Sequence, residues 1–385
     1  MASDTLPTVW PADPHTLAKH RILSNYLKAW MPILANSRNV PDGKPPEILF
    51  IDGFAGPGVY EGGEDGSPVI ALKTALDHSR SFSVPVSFLF IEQDDERFAR
   101  LVSALEGLKP RIEESPNVRL LPPYHGDCGR KLNELLDTYK AQRRDFGPAL
   151  VFLDQFGYSK VPMDLIGRIM SQPRCEVFAY MNWNRLNPYF TDETKWPTIT
   201  RAFGSEAWKS CLSFKGGRRD EEFLKSYSEQ LRTAGKSDYV WHFAMCGEGD
   251  QLLYWLFFCT NNLLGLKEMK KAMFSVDESG GFRFSDGNDP NQLSFFKGAT
   301  QEWLAEHLHK KFSETTQTIA AIRVYVLTET PCYKFKEALA LLEDAQRIRV
   351  VGAPANRKKK SFADEGMSIA FVRGPAKQIG FFDFD

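Results

Sequence analysis

Apolar positions recur along the chain with two periods, and the alternation between them predicts most of its elements. Over 16–34, Leu17, Ile22, Leu23, Tyr26, Leu27, Trp30 and Ile33 follow helical spacing. The residues before it are rich in Pro and Asp and read as irregular, and 36–46 reads as a turn-rich connection. Five short, continuous apolar runs follow, at 47–51, 86–91, 118–121, 149–153 and 177–181, and each has the length and composition of a buried strand. Helices are predicted between them over 67–76, 94–108, 130–139 and 165–170. Ser67-Pro68 reads as a helix start, with Ser as N-cap and Pro at the first helical position.

Strand–helix alternation of this kind predicts an α/β fold with a doubly wound, Rossmann-like parallel sheet. Two late runs, 239–245 and 252–259, read as strands that add an antiparallel edge. The Trp- and Phe-rich stretch between them and the fifth strand predicts helices that insert into or lid the sheet, over about 185–237. A short helix is expected at 267–274, and the Gly- and Asp-rich 279–291 reads as a linker. These boundaries give a first domain over 1–280 and a second over 295–375. In the second, helical periodicity at 300–312, 315–328 and 333–345 precedes strands at 347–351 and 367–372. Three helices followed by a β-hairpin is the pattern of a winged helix-turn-helix.

Composition narrows the picture. The 385 residues suit two domains, and at 43% hydrophobic and 25% charged they can bury ordinary cores. A net charge of −1 excludes nucleic-acid binding by bulk charge, so any such contact must come from a local patch. The six cysteines include no CxxC pair, which fits reduced, buried thiols and no metal site. The N-terminus has no charged start followed by an apolar core, and no apolar run approaches the ~18 residues that span a membrane. A cytoplasmic protein is expected.

The candidate chemistry lies where the strands end. The first four strands run into Asp52, Glu92, Asp127 and Asp154, and a parallel sheet collects its ligands beyond the carboxyl ends of its strands. Asp52-Gly53-Phe54-Ala55-Gly56-Pro57-Gly58 is a loop whose glycines allow close backbone approach to a ligand. It lacks the G-x-G-x-x-G spacing that brings a helix dipole straight onto a pyrophosphate, because Val59 to Gly66 delays the helix at Ser67. An acid opening such a loop suits the amino group and sulfonium of S-adenosylmethionine better than a phosphate. Glu92 is placed to accept from ribose hydroxyls, Gln93 to touch an adenine, and Asp127, with Cys128 after it, to accept from the adenine amine. Asp154-Gln155-Phe156-Gly157 offers an acceptor side chain, a backbone carbonyl and an aromatic, which together could hold a base amine and stack its ring. Lys19-His20 on the first helix and the polar segment 182–187, with Trp183, are further candidates to line the site. In the second domain Lys334, Lys336 and the turn Arg357-Lys358-Lys359-Lys360 are placed to meet a phosphate backbone, the lysines on a recognition helix and the turn in a wing.

These positions together resemble the three-Cys-motif partner protein family, methyltransferase-like proteins of bacteria and phages. The resemblance is carried by Lys19-His20, Ile51 to Tyr60, Gly66 to Leu72, Phe90-Ile-Glu92, Phe152 to Tyr158 and Leu266 to Val276, and covers about the first 280 residues. It implies a class I methyltransferase fold that holds S-adenosylmethionine. It also implies a partner, a radical-S-adenosylmethionine-like protein that carries the three cysteines. The family pattern has Pro where this chain has Gln155. The activity expected is therefore S-adenosylmethionine-dependent methyl transfer to a nucleic-acid base amine in DNA or RNA. A cofactor-binding subunit of the three-Cys protein, and a methyltransferase of small molecules or proteins, are the alternatives.

Overall fold

Strands buried along their whole length organise the larger part of the molecule. The computed structural model describes residues 8–36, 47–247, 251–277, 283–285, 300–363 and 366–373. The chain divides into two compact units, one formed by 1–276 with 283–291 and the other by 277–282 with 292–385.

The first unit runs through α1 (Pro14–Ala35), β1 (Ile48–Asp52), α2 (Ser67–Leu76), β2 (Val86–Glu92), α3 (Asp95–Glu106), α4 (Lys109–Glu114), β3 (Val118–Leu120), β4 (Tyr124–His125), α5 (Cys128–Ala141), β5 (Ala149–Leu153), α6 (Met163–Met170) and β6 (Cys175–Met181). It continues through α7 (Trp183–Leu186), α8 (Trp196–Phe203) and α9 (Gly217–Thr233), with three 3-10 turns interspersed. It ends in β7 (Tyr239–Cys246), β8 (Leu252–Thr260), α10 (Leu263–Phe274) and β9 (Arg283–Ser285). The strands order as β3-β2-β1-β5-β6-β8-β7-β9. Pairing is parallel from β3 to β6, and β8 is antiparallel to both β6 and β7. The expected parallel sheet with an antiparallel edge is thus the observed one. Of the stretch read as a linker, 283–285 adds instead a short strand parallel to β7, and the rest lies largely outside the described residues.

Every residue of β1, β2 and β5 is buried, which is why these strands read as unbroken apolar runs rather than alternating ones. Their two faces nevertheless differ. Leu49, Ile51, Leu89, Ile91, Val151 and Leu153 pack into one core with Leu132, Ile166 and Ile169 of α5 and α6. The intervening positions carry aromatic rings: Phe50 meets Phe88, Phe152 meets Phe178, and Phe258 meets Tyr26 of α1. Helices on both faces close the sheet, and the helical insertion 183–233 extends the first core through Phe190, Phe203, Trp208 and Phe223.

The second unit comprises α11 (Gln301–Lys311), β10 (Thr316–Thr318), α12 (Ile319–Glu329), α13 (Phe335–Asp344), β11 (Ile348–Val351) and β12 (Ser368–Phe371). Its three strands form an antiparallel sheet in the order β10-β12-β11, over a core that includes Leu304, Leu308, Ile322, Val326, Leu339 and Ile369. The helix expected over 315–328 is shorter than its periodicity suggested. Thr316-Gln-Thr318 is a strand, and the Thr318 hydroxyl caps α12 by accepting from Ala321 N. Thr favours both strand and N-cap positions, and the sheet partner β12, some fifty residues on, decides between strand and helix.

Candidate active site

The sheet order reverses between β1 and β5: the chain proceeds outward to β2 and β3 on one side and to β6 on the other. Ligands of open α/β sheets bind in the crevice beyond the strand ends at such a point. A cleft of about 270 Å³ opens there. Its walls come from the loop after β1 (Phe54 to Tyr60, with Gly66 and Ser67), the loop after β5 (Asp154, Gln155, Phe156), and α1 with the segment before it (Trp10, Asp13, His15, Thr16, Lys19). Tyr180 of β6 and Tyr254 of β8 complete it.

The loop after β1 is held by two carboxylates that do not line the cleft themselves. Asp52 is fully buried below the floor. Its carboxylate accepts from Ser67 Oγ at 2.6 Å and from Phe54 N at 3.1 Å, and burial pushes its carboxyl up to about 7. Ser67 is therefore a partner of Asp52 inside the first turn of α2; the N-cap is Gly66, because the hydroxyl is already engaged. Glu92, at the end of β2, accepts from Gly56 N at 2.9 Å, Gln93 N at 2.9 Å and Asp94 N at 2.8 Å, and from Arg97 Nε at 3.3 Å. Four donors make it a brace of the loop: three converge on Oε1, while Oε2 accepts from Gly56 N.

Beyond Gly58, residues 59–65 fold back on themselves. Tyr60 N donates to Glu64 O at 2.8 Å and Gly66 N to Gly58 O at 2.8 Å, so the long tail ahead of α2 is a small hairpin. Gly56 sits at φ +63° with no atom within 4 Å of the position a Cβ would take, a left-handed conformation that a side chain would strain. At Gly53 a Cβ would stand 2.5 Å from Cys128 Sγ, so this glycine lets β1 turn tightly against α5. Asp127 caps α5, accepting from Arg130 N at 2.8 Å. Gly53, Gln93, Asp127 and Cys128 are absent from the cleft walls.

The loop after β5 divides in the same way. Asp154 faces the cleft and pairs with Lys19 Nζ of α1. The Gln155 side chain is 2% exposed. Its Oε1 accepts from Lys160 N at 3.0 Å and Val161 N at 3.2 Å, and its Nε2 donates to Tyr180 O at 3.4 Å. An amide supplies both functions at once, which no proline could, and this accounts for Gln at that position. Phe156 is 44% exposed, with Trp10 edge-on at 5.3 Å between centroids and the Arg97 guanidinium 5.9 Å above its ring. Gly157, at φ +125°, turns the chain away from the cleft.

Lys19 is the only lysine or arginine among the described residues lining the cleft. It is 6% exposed, and its Nζ stands 5.6 Å from the Tyr180 ring centroid and 6.0 Å from that of Tyr254, within the range of cation–π attraction. The neighbouring His20 turns inward instead. It is buried, its Nδ1 has no hydrogen-bond partner, and burial, helped by the Lys19 charge, lowers its pKa to about 3. Of the sequence pair, Lys19 belongs to the site and His20 packs as a neutral ring beside Tyr60.

Trp183, expected to line a pocket, is 2% exposed and donates from Nε1 to Asp220 at 2.9 Å; the segment after β6 is the short helix α7, capped by Asn182. Conversely, Trp10, His15, Tyr60, Tyr180 and Tyr254 line the cleft without a sequence signal beyond Tyr60 following the glycine loop. In the second unit two acids partly offset the charge of the basic turn. Arg357 forms a two-pronged pair with Glu343 at 2.7 and 3.1 Å, and Lys359 and Lys360 reach Asp344 at 2.9 and 2.6 Å. Lys334 precedes α13 rather than lying in it and stands 3.7 Å from Glu337; Lys336 lies in the first turn.

No family model matches the chain, and no curated protein matches it. Among solved structures it is similar to the precorrin-6y C5,15-methyltransferase of Geobacter metallireducens GS-15, with 12% identity, 61% of this chain and 87% of that chain covered, and a TM-score of 0.27. It is similar also to the METTL16 MTase domain, with 14% identity, 61% and 66% covered, and a TM-score of 0.28. A third is a DUF574 family protein of Streptomyces avermitilis MA-4680, with 10% identity, 64% and 89% covered, and a TM-score of 0.27. At TM-scores of this size neither fold nor activity is inferred from them. Among the described residues no helix is long and apolar enough to cross a membrane, and no group of His, Cys, Asp and Glu could hold a metal ion.

Proposed function

We propose that the first unit is an S-adenosylmethionine-dependent methyltransferase whose acceptor is an amine on a nucleic-acid base. One observation carries the reading: at the sheet's switch point Asp154 lines a cleft walled by the glycine loop, and Asp52, from the neighbouring strand, lies buried behind that loop and bonded to it through Ser67 and Phe54 N. The fit to the cofactor rests on that pair of acids and on Gly56, whose open, left-handed backbone leaves room for a ligand against the loop. When bound, S-adenosylmethionine supplies a methyl group activated by a sulfonium. The chain's own residues bind and orient. Backbone of 54–58 forms the wall, Asp52 places negative charge beneath it through Ser67, and Asp154 accepts an N–H of the acceptor and so points its lone pair at the methyl group. The exposed Phe156 ring offers a stacking face.

The second unit supports a nucleic-acid acceptor through its order of elements, helix–strand–helix–helix–strand–strand, which is that of a winged helix. In this reading Lys334, Lys336 and the turn 357–360 contact phosphates, the turn by exchanging its carboxylate partners for them. Calorimetric titration with S-adenosylmethionine tests the first half: saturable binding by the wild type, weakened in Asp52→Ala, is expected, and absence of binding refutes it. Incubation with DNA or RNA and a labelled methyl donor tests the second half.

A second reading is favoured by the Lys19–Asp154 pair, which occupies the acceptor acid, and by the wholly structural role of the Gln155 side chain. In it the chain is a cofactor-binding subunit of a three-Cys-motif protein. Stoichiometric co-purification with such a partner, and no methyl transfer by this chain alone, would support it.

A further inference from the structure

Lys19 presents a problem that the proposed activity leaves open. Its ammonium is almost wholly buried and paired with Asp154, and a buried ammonium must keep an anionic partner, because leaving either member of such a pair alone is strongly unfavourable. Asp154 cannot hold Lys19 and fully serve an acceptor amine. The cleft therefore needs a second anion whenever an acceptor is present. The charges around it suggest where that anion comes from. Asp154 carries one negative charge, Asp52 supplies a second when it ionises, and Lys19 carries one positive charge. S-adenosylmethionine has the opposite set: two cations, the sulfonium and the α-ammonium, and one anion, the α-carboxylate. Tyr180 and Tyr254 flank the Lys19 ammonium, and their aromatic faces can hold a cation while it changes partners.

We propose that Lys19 is the receptor of the cofactor's carboxylate, and that its transfer from Asp154 to that carboxylate frees Asp154 for the acceptor. The cofactor then binds first and unlocks the acceptor acid. Lys19 is a binding residue for the cofactor and a positioning residue for the acceptor. The inference rests on the methyltransferase reading above.

The test compares S-adenosylmethionine with decarboxylated S-adenosylmethionine, which keeps the sulfonium and an amine but lacks the carboxylate, by calorimetric titration into the full chain. Wild type is expected to lose tenfold or more in affinity, about 1.4 kcal/mol, when the carboxylate is removed. Lys19→Met is expected to bind S-adenosylmethionine as weakly as wild type binds the decarboxylated form, and to show no further loss with the latter, the signature of a direct coupling. Lys19→Arg should recover most of the discrimination, and Asp154→Asn should bind the cofactor at least as tightly as wild type because Lys19 is already released. Equal wild-type affinity for the two ligands overturns the proposal without recourse to any variant. So does a Lys19→Met protein that loses both ligands equally while melting like wild type. If wild type binds neither ligand, the methyltransferase reading itself falls and this inference with it.

Discussion

Two clusters of charge, one in each unit, look unequal in the sequence, and the structure reverses their ranking. The turn Arg357-Lys-Lys-Lys360 is the densest run of cations in the second unit and the obvious candidate for a phosphate contact. Three of its four cations are engaged by two acids at the end of the helix before it, Glu343 and Asp344. Lys19, a single lysine in an amphipathic helix, is buried at the switch point of the sheet against Asp154 in the loop after β5. The difference teaches that local density of charge says little about its availability. An exposed run can find partners a few residues away, whereas a lone charge taken out of water must be matched by whatever the fold brings to it.

The largest effect that would sharpen this contrast lies in the turn. The Arg357 and Glu343 side chains are only 12% and 14% exposed. Removing one partner of a buried pair costs roughly 3–5 kcal/mol. Allowing for the remaining exposure and for Lys360 N, which still donates to Glu343, Arg357→Met should destabilise the second unit by about 2 kcal/mol. For a unit of this size calorimetry should show a Tm lower by roughly 8–16 °C. Arg357 also holds the Glu343 carboxyl below its usual value. The stabilisation is thus present above the unfolded-state pKa and lost as the pH falls through the folded one. An unchanged Tm would remove the Arg357–Glu343 pair from the stability of this unit.

Next in size is the loss of cofactor affinity in Lys19→Met, tenfold or more, read against the decarboxylated ligand as described above. A smaller, pH-dependent effect belongs to Asp52. Its folded pKa of about 7 lies above the unfolded value of about 3.9, so the folded state binds the proton more tightly. Its contribution to stability is greatest below about pH 4 and falls as the pH rises toward 7. Asp52→Asn should flatten this fall and melt higher than wild type at pH 8. Cationic ligands favour the ionised carboxylate, so wild-type affinity for S-adenosylmethionine should climb between pH 6 and 8, while Asp52→Asn shows no such climb. An identical pH profile in the two proteins would remove Asp52 from the binding electrostatics.

The smallest effect is expected from Lys359→Ala with Lys360→Ala. Both pairs with Asp344 are solvent-exposed, and such pairs contribute little to stability, so melting should not change. The same variant tests the nucleic-acid reading. If these lysines reach phosphates, the slope of log affinity against log salt falls by about one for each phosphate that is no longer neutralised. An unchanged slope assigns the turn to the fold alone.

Much of this was legible in the chain itself. Continuous apolar runs placed β1, β2 and β5 almost to the residue, because strands buried on both faces leave no polar position to blur their ends, and the runs at β7 and β8, partly buried only toward their starts, were placed as closely. The helix starting at Ser67 was also foreseen, but the partner of the Ser67 hydroxyl was not. A capping serine and a serine bonded to a buried acid fifteen residues back have the same local sequence. Gln155 was visible as a departure from the expected loop, and its reason was not. Only the packed loop shows that two amides and a carbonyl converge on that side chain.

The sequence by itself determined the order and type of the first unit's main strands and helices, the parallel sheet with its antiparallel edge and the set of acids at its strand ends, since these follow from periodicity and steric preference over a few residues; the short strands 283–285 and 316–318 depended on distant partners. The tertiary structure alone decided what each acid touches. Glu92 braces the glycine loop, Asp127 caps a helix, and Asp52 lies below the floor, while Asp154 faces the cleft and meets Lys19, 135 residues away. That meeting depends on which strands become neighbours and which helix covers them. Such contacts are selected by the burial of the whole core, and no short window of sequence carries them.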